Sequence, residues 1–197
     1  MRVYDISQEV FACAVFAGDP APKREVLTTI KQGSICNLTA FSMCAHNGTH
    51  VDAPYHFIDD GKRVDELSLE SLVGYAYVAE HRGIITAEDI ATILERAESV
   101  MPESARRILI KGDATLSNEA AVVLKEHGVL LVGNESQTVG PENAPAEVHR
   151  TLLGADVALL EGIRLGEVQE GAYILCAAPI NLGGADGAPC RAILIEQ

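Results

Sequence analysis

The chain has 197 residues, with 15 Lys+Arg against 28 Asp+Glu, a formal net charge of −13, and is 48% hydrophobic. That length and apolar fraction suit one folded domain with a sizeable core and exclude a mainly disordered chain. The acidic balance supplies no basic footprint for a nucleic-acid backbone or an anionic membrane surface.

In chain order, short β-prone runs at 3–6, 11–16, 26–30 and 37–44 are separated by turn residues such as Gly18-Asp-Pro and Gln32-Gly-Ser. A further strand is expected at 72–80. Thr86-Ala-Glu-Asp89 then reads as a helix start, and Ile90, Ile93, Leu94 and Ala97 recur on one face with helical period. A strand at 107–111 precedes a helix that Ser117 caps and Gly128 ends. Strands at 129–132, 157–160, 173–180 and 190–195 follow, with a helix near 146–153. The pattern is α/β: a β-rich first half joined to α/β units whose strands are buried and partly parallel. No repeat or linker divides it, so residues 1–197 are read as a single domain.

The start, Met1-Arg-Val-Tyr-Asp-Ile-Ser, carries Asp5 and has no signal-peptide pattern. The longest uncharged apolar stretch, 173–182, is too short to span a bilayer. Five cysteines without C-x-x-C spacing argue against a disulfide scaffold, and a cytoplasmic location is expected. Cys44 is read as a small buried side chain on a strand.

Three of the six histidines fall in one window, His46-Asn-Gly-Thr-His50-Val-Asp52-Ala-Pro-Tyr-His56. The His46/His50 spacing mimics a helical zinc motif, but Gly48, the β-branched Thr49 and Val51, and Pro54 argue against a helix. In an extended segment His50 and Asp52 share a strand face, and a turn at Asn47-Gly48 swings His46 back toward them. Imidazole and carboxylate ligands together suit Zn²⁺, or Mn²⁺ where oxygen ligands dominate. The alternative, histidines that only cap a loop, would desolvate many ionisable groups without a metal to compensate.

H-x-G-T-H-x-D-x-P-x-H resembles the signature of the cyclase-like metal-dependent hydrolases, a family that includes bacterial kynurenine formamidases and isatin hydrolases. The similarity continues through Phe57-Ile-Asp-Asp-Gly61, Val64-Asp-Glu-Leu67 and Leu72-Val-Gly74, and through the spacing of His149 and Glu161. It implies the family's swivelling β/β/α fold over the whole chain. It also implies that His46, His50 and Asp52 bind one metal, that Asp52 and Glu161 bridge to a second when two are present, and that His149 binds the second. His56 would be the acid/base beside a hydroxide generated at the metal. Glu161 also fits on physical grounds, because a carboxylate ending the buried strand at 157–160 is costly unless paired or metal-bound.

The resemblance implies a small amide or formamide substrate and a homodimer or homotetramer. It points to arylformamidase activity in the first place, or to opening of an isatin- or lactam-type cyclic amide. Kynurenine formamidases place a tryptophan in a W-x-G-D-like segment, where this chain has Phe16-Ala-Gly-Asp19, so Phe16 is the candidate substrate-stacking residue. Asn134 stands where relatives have Asp. Leu182-Gly-Gly-Ala-Asp-Gly187 lacks phosphate-loop spacing and is read as a loop near the site. A metal-binding protein without catalysis is the reading of another class, and it gives His56 no task.

Overall fold

The structure, a computed structural model, describes residues 1–196. Thirteen strands form along them: β1 (Arg2–Asp5), β2 (Lys23–Thr28), β3 (Leu38–Ser42), β4 (His50–Asp52), β5 (Val73–Glu80), β6 (Gly83–Ile85), β7 (Arg107–Lys111), β8 (Ala114–Leu116), β9 (Leu131–Asn134), β10 (Ala158–Glu161), β11 (Gly171–Cys176), β12 (Gly187–Pro189) and β13 (Ile193–Glu196). The helices are α1 (Leu69–Leu72), α2 (Ala87–Val100), α3 (Asn118–His127) and α4 (Ala146–Leu153).

Nine strands make one mixed sheet in the order β1-β13-β11-β5-β7-β9-β10-β4-β12. Its centre, β5-β7-β9-β10, is parallel. Parallel strands need crossovers, and α2, α3 and α4 lie in the connections between these four. Alternation along each strand divides the core. Tyr77, Ala79, Ile108, Ile110, Val132 and Leu159 pack with Ile90, Ile93, Leu124 and Leu152 of the helices. Ala76, Val78, Leu109, Leu131, Ala158 and Leu160 face the other way, against Val51, Tyr173, Leu175 and Leu194.

The helix ends follow the sequence. Thr86 Oγ1 accepts from Asp89 N at 3.2 Å while Asp89 Oδ2 accepts from Thr86 N at 2.9 Å, a reciprocal cap worth about 1 kcal/mol. Ser117 Oγ accepts from Ala120 N, and Gly128 closes α3 at φ +75°, a backbone region that glycine adopts without a Cβ clash.

The run 11–16 departs from expectation: it forms no strand, only a 3-10 turn at Val10–Ala12 followed by irregular chain. Its backbone groups bond elsewhere, with Ala14 O accepting from Gly48 N and Ala14 N donating to Gln8 Oε1. Cys44 likewise lies just past β3, half-buried, rather than within a strand.

For the site, the decisive placement is β4. It is antiparallel to both neighbours, with His50 opposite Glu161 in β10 and Asp52 opposite Gly187 in β12. The carboxyl end of a parallel strand is the usual place for function in such sheets, and Glu161 sits at that end of β10.

Candidate metal centre

Asn47 and Gly48 turn the chain just before β4. Gly48 has φ +66°, so the turn is open to glycine at no steric cost, and it brings His46 back over the strand. His46 Nδ1 lies 2.8 Å from Asp52 Oδ1, and His50 Nε2 lies 3.3 Å from the same oxygen. From α4 and β10, His149 Nε2 meets Glu161 Oε1 at 3.1 Å, and His50 Nε2 stands 3.5 Å from Glu161 Oε2. His50 and Asp52 are 1% exposed, and His149 and Glu161 2%.

Three overlapping donor sets result, His46/His50/Asp52, Asp52/His149/Glu161 and the less buried His46/His56/Asp186, each with its donor atoms within 4.8 Å of one another. Asp52 belongs to the first two. Its Oδ2 is buried without a hydrogen-bond partner, and His149 Nε2, at 3.7 Å, is beyond reach. A buried carboxylate oxygen with no donor costs free energy unless a cation compensates it. Buried imidazoles and carboxylates in this mixture suit a divalent metal, so the residues fit the group.

The charges are strongly coupled. Burial opposes the charged form of His46, but hydrogen bonds to Asp186 and Asp52 outweigh it and hold the ring pKa at about 11. Burial is likewise overcome at His50 by Asp52 and Glu161, to about 10. His149 is also raised, against burial, by Glu161. Asp52 lies well below its ordinary value, because its histidine neighbours outweigh burial. His56 moves the other way, lowered chiefly by burial.

A cavity of about 390 Å³ opens over the cluster, with Phe16, Cys44, Phe57, Gln137 and Thr138 in its walls. His56 follows β4 on a 3-10 turn (Pro54–His56) and stacks on His46, ring centroids 3.9 Å apart. All seven residues singled out from sequence therefore border this one cavity or the buried cluster beneath it. Asn134 sits behind it, with Nδ2 donating to Ala114 O and Thr138 O, and the adjacent Val139 N donates to Glu161 Oε1 at 2.7 Å.

Asp186 is the residue that sequence reasoning missed. Its Oδ2 lies 2.8 Å from His46 Nε2 and 3.3 Å from His56 Nδ1. The signal was present in the glycine-rich run 182–187, where Asp186 is the one charged side chain.

The Cyclase family model matches residues 4–141. This chain belongs to the cyclase family. The matched stretch contains His46, His50, Asp52 and His56 and stops before His149 and Glu161, but full-length relatives extend across them. The kynurenine formamidase of Erythrobacter litoralis is 32% identical over 203 residues, covering 99% of this chain and 94% of the relative. That of Salinibacter ruber is 34% identical over 222 residues, covering 98% and 97%. Among solved structures, one described as a predicted metal-dependent hydrolase from Bacillus stearothermophilus is similar at TM-score 0.80 and 28% identity, covering 98% of this chain and 97% of that one. Isatin hydrolase A from Labrenzia aggregata shares the fold at TM-score 0.82 and 21% identity, covering 100% and 94%. Among the described residues, no helix is long and apolar enough to cross a membrane.

Proposed function

We propose that this member of the cyclase family is a metal-dependent hydrolase that cleaves the C–N bond of a small amide or formamide. The observation that carries the reading is the orphaned, buried Asp52 Oδ2 between two overlapping sets of imidazole and carboxylate donors. His46, His50 and Asp52 would hold one ion, and Asp52, His149 and Glu161 a second. Zn²⁺ suits the histidine-rich set best, with Mn²⁺ the alternative where carboxylates dominate. Bound there, a divalent ion supplies Lewis acidity, which polarises a carbonyl and makes water acidic enough to react near neutral pH.

The chain's own groups do the rest. Phe16 and Phe57 provide aromatic walls for an aryl substrate, and the cavity draws its buried polar groups from the cluster. His56, its Nδ1 occupied by Asp186, has Nε2 left to receive a proton and return it to the departing nitrogen. Burial lowers the His56 pKa, which favours the neutral, proton-accepting ring at neutral pH. One water is consumed, and a carboxylate (formate, from a formamide) and an amine are released. Curated relatives are kynurenine formamidases, so N-formylkynurenine is the first substrate to try and isatin the second.

Strands from both ends of the chain meet in one sheet, which supports treating residues 1–197 as one domain. The β2–β3 hairpin lies outside that sheet and exposes Val26, Leu27, Leu38 and Phe41, which supports a homodimer or homotetramer. A cytoplasmic location goes with five free cysteines. The deciding experiment is hydrolysis of N-formylkynurenine and isatin before and after chelation. Activity lost with the metal and regained with Zn²⁺ or Mn²⁺ is expected, and full activity in metal-free protein would overturn the reading. Light scattering at the monomer mass would overturn the assembly.

A further inference from the structure

Each histidine of the two donor sets that share Asp52 turns one ring nitrogen inward and gives the other to an acceptor. His50 directs Nε2 at Asp52 and Glu161, and its Nδ1 lies 3.0 Å from Gly48 O. His149 directs Nε2 at Glu161, and its Nδ1 lies 2.8 Å from Pro145 O. His46 is reversed: Nδ1 faces Asp52, and Nε2 meets a side chain, Asp186 Oδ2, at 2.8 Å. Two rings are thus pinned by backbone carbonyls and the third by a carboxylate.

We infer that Asp186 is a positioning residue that fixes the tautomers of His46 and His56 together. The inference rests on the metal-centre reading above. A carboxylate only accepts, so a ring nitrogen hydrogen-bonded to it must carry the proton. Asp186 Oδ2 therefore keeps a proton on Nε2 of His46, so that Nδ1, which faces Asp52 Oδ1, is the nitrogen that gives up its proton when an ion binds. The same oxygen, 3.3 Å from His56 Nδ1, leaves His56 Nε2 as the nitrogen that exchanges protons. Outer carboxylates that orient metal-binding imidazoles act in this way, and removing one costs about 10–100-fold in metal affinity or activity.

The backbone holds Asp186 where this requires. Its carbonyl accepts from Ala53 N at 2.9 Å, immediately after β4, and Gly187 beside it pairs with Asp52. A Cβ at Gly187 would stand 2.7 Å from His46 Cε1, so the glycine is what lets the His46 ring lie against this strand. The stacked rings of His46 and His56 then share one acceptor, which ties the orientation of a metal-binding ring to that of the proton carrier.

The test compares wild type, Asp186→Ala and Asp186→Asn. Zn²⁺ affinity is measured by competition with a chromophoric chelator, and the His46 Nε2–H by ¹H–¹⁵N NMR of the Zn²⁺-loaded proteins. Asp186→Ala is expected to weaken Zn²⁺ binding about 10–100-fold and to lose the slowly exchanging His46 Nε2–H signal that the hydrogen bond to Asp186 protects. Asp186→Asn, which keeps an acceptor oxygen, is expected to restore most of the affinity and that signal. Wild-type affinity and an unchanged His46 Nε2–H signal in Asp186→Ala would overturn the inference, as would an Asn variant as weak as the Ala variant. Should Asp186→Ala fail to fold, the Asn variant decides alone: loss of its His46 Nε2–H signal overturns the role. Wild type that takes up no Zn²⁺ removes the metal centre and the inference together. Tight wild-type binding with a silent Asp186 removes the inference only.

Discussion

His50 and Glu161 are partners in the register of two antiparallel strands, both side chains buried, with Nε2 and Oε2 3.5 Å apart. The backbone pairing of β4 with β10 therefore fixes how far apart an imidazole and a carboxylate stand, before any ion is considered. Glu161 also accepts from Val139 N, so its removal orphans a buried N–H and takes the partner from His149 Nε2. In chelator, Glu161→Ala is expected to lose about 1–3 kcal/mol in urea unfolding. Glu161→Gln, which keeps an acceptor, should lose less, and an Ala variant as stable as wild type would contradict this account.

The metal-free protein should depend on pH in a defined window. His46 and His50 have folded-state values of about 11 and 10 against an ordinary 6.5, so their stabilising contribution is full below 6.5 and is lost as pH rises toward those values. Asp52 is depressed below its ordinary 3.8, so its contribution is present above 3.8 and is lost as pH falls through its folded value. The cluster therefore supports the metal-free fold most strongly between pH 3.8 and 6.5. Melting temperatures in chelator should fall from pH 6.5 to 9, whereas a rise would reverse the sign.

Those same raised values mean that metal uptake must expel protons from His46 and His50. Titrating Zn²⁺ into weakly buffered apoprotein near pH 7 should acidify the solution, and apparent affinity should climb with pH. A calorimetric titration whose heat is independent of buffer ionisation enthalpy would show that no proton leaves.

His56 stands outside both donor sets that share Asp52. His56→Ala is accordingly expected to keep the metal content of wild type, measured by plasma emission, while kcat falls about 10²–10⁴-fold. Undiminished turnover would remove its acid/base role.

Phe16 lines the cavity, and the stacking on an aryl ring proposed for it would contribute about 0.5–1.5 kcal/mol. Phe16→Ala should raise KM for an aromatic amide about two- to tenfold and leave a small aliphatic formamide unaffected. Equal effects on both would assign Phe16 to packing instead.

The central fold was legible because its signals are local. Thr86, Ser117 and Gly128 mark helix ends by their own chemistry, and 108–110 is apolar on both faces because both faces are covered. The histidine cluster was legible for the same reason, since four of its members fall between 46 and 56. The run 11–16 misled because β-prone side chains do not create a neighbouring strand edge, and here Gly48 and Gln8 took the backbone bonds. Burial of His149 had no local signature, and spacing within the family resemblance alone singled it out, whereas Glu161 also stood at the end of an apolar strand. Asp186 lies 140 positions from the His46 ring it touches, a relation that no window of sequence displays.

The clamping of β4 between β10 and β12 orders the birth of the molecule. A chain synthesised from its N-terminus presents His46, His50 and Asp52 early, yet their neighbours Glu161 and Gly187 come from the last strands to be made. Contacts so distant in sequence close late in folding. Until residue 187 has been made, β4 lacks one flank and the His46 ring has no carboxylate behind it. A chain cut short before that point would retain every residue of the 46–56 motif and lack the wall that orients it.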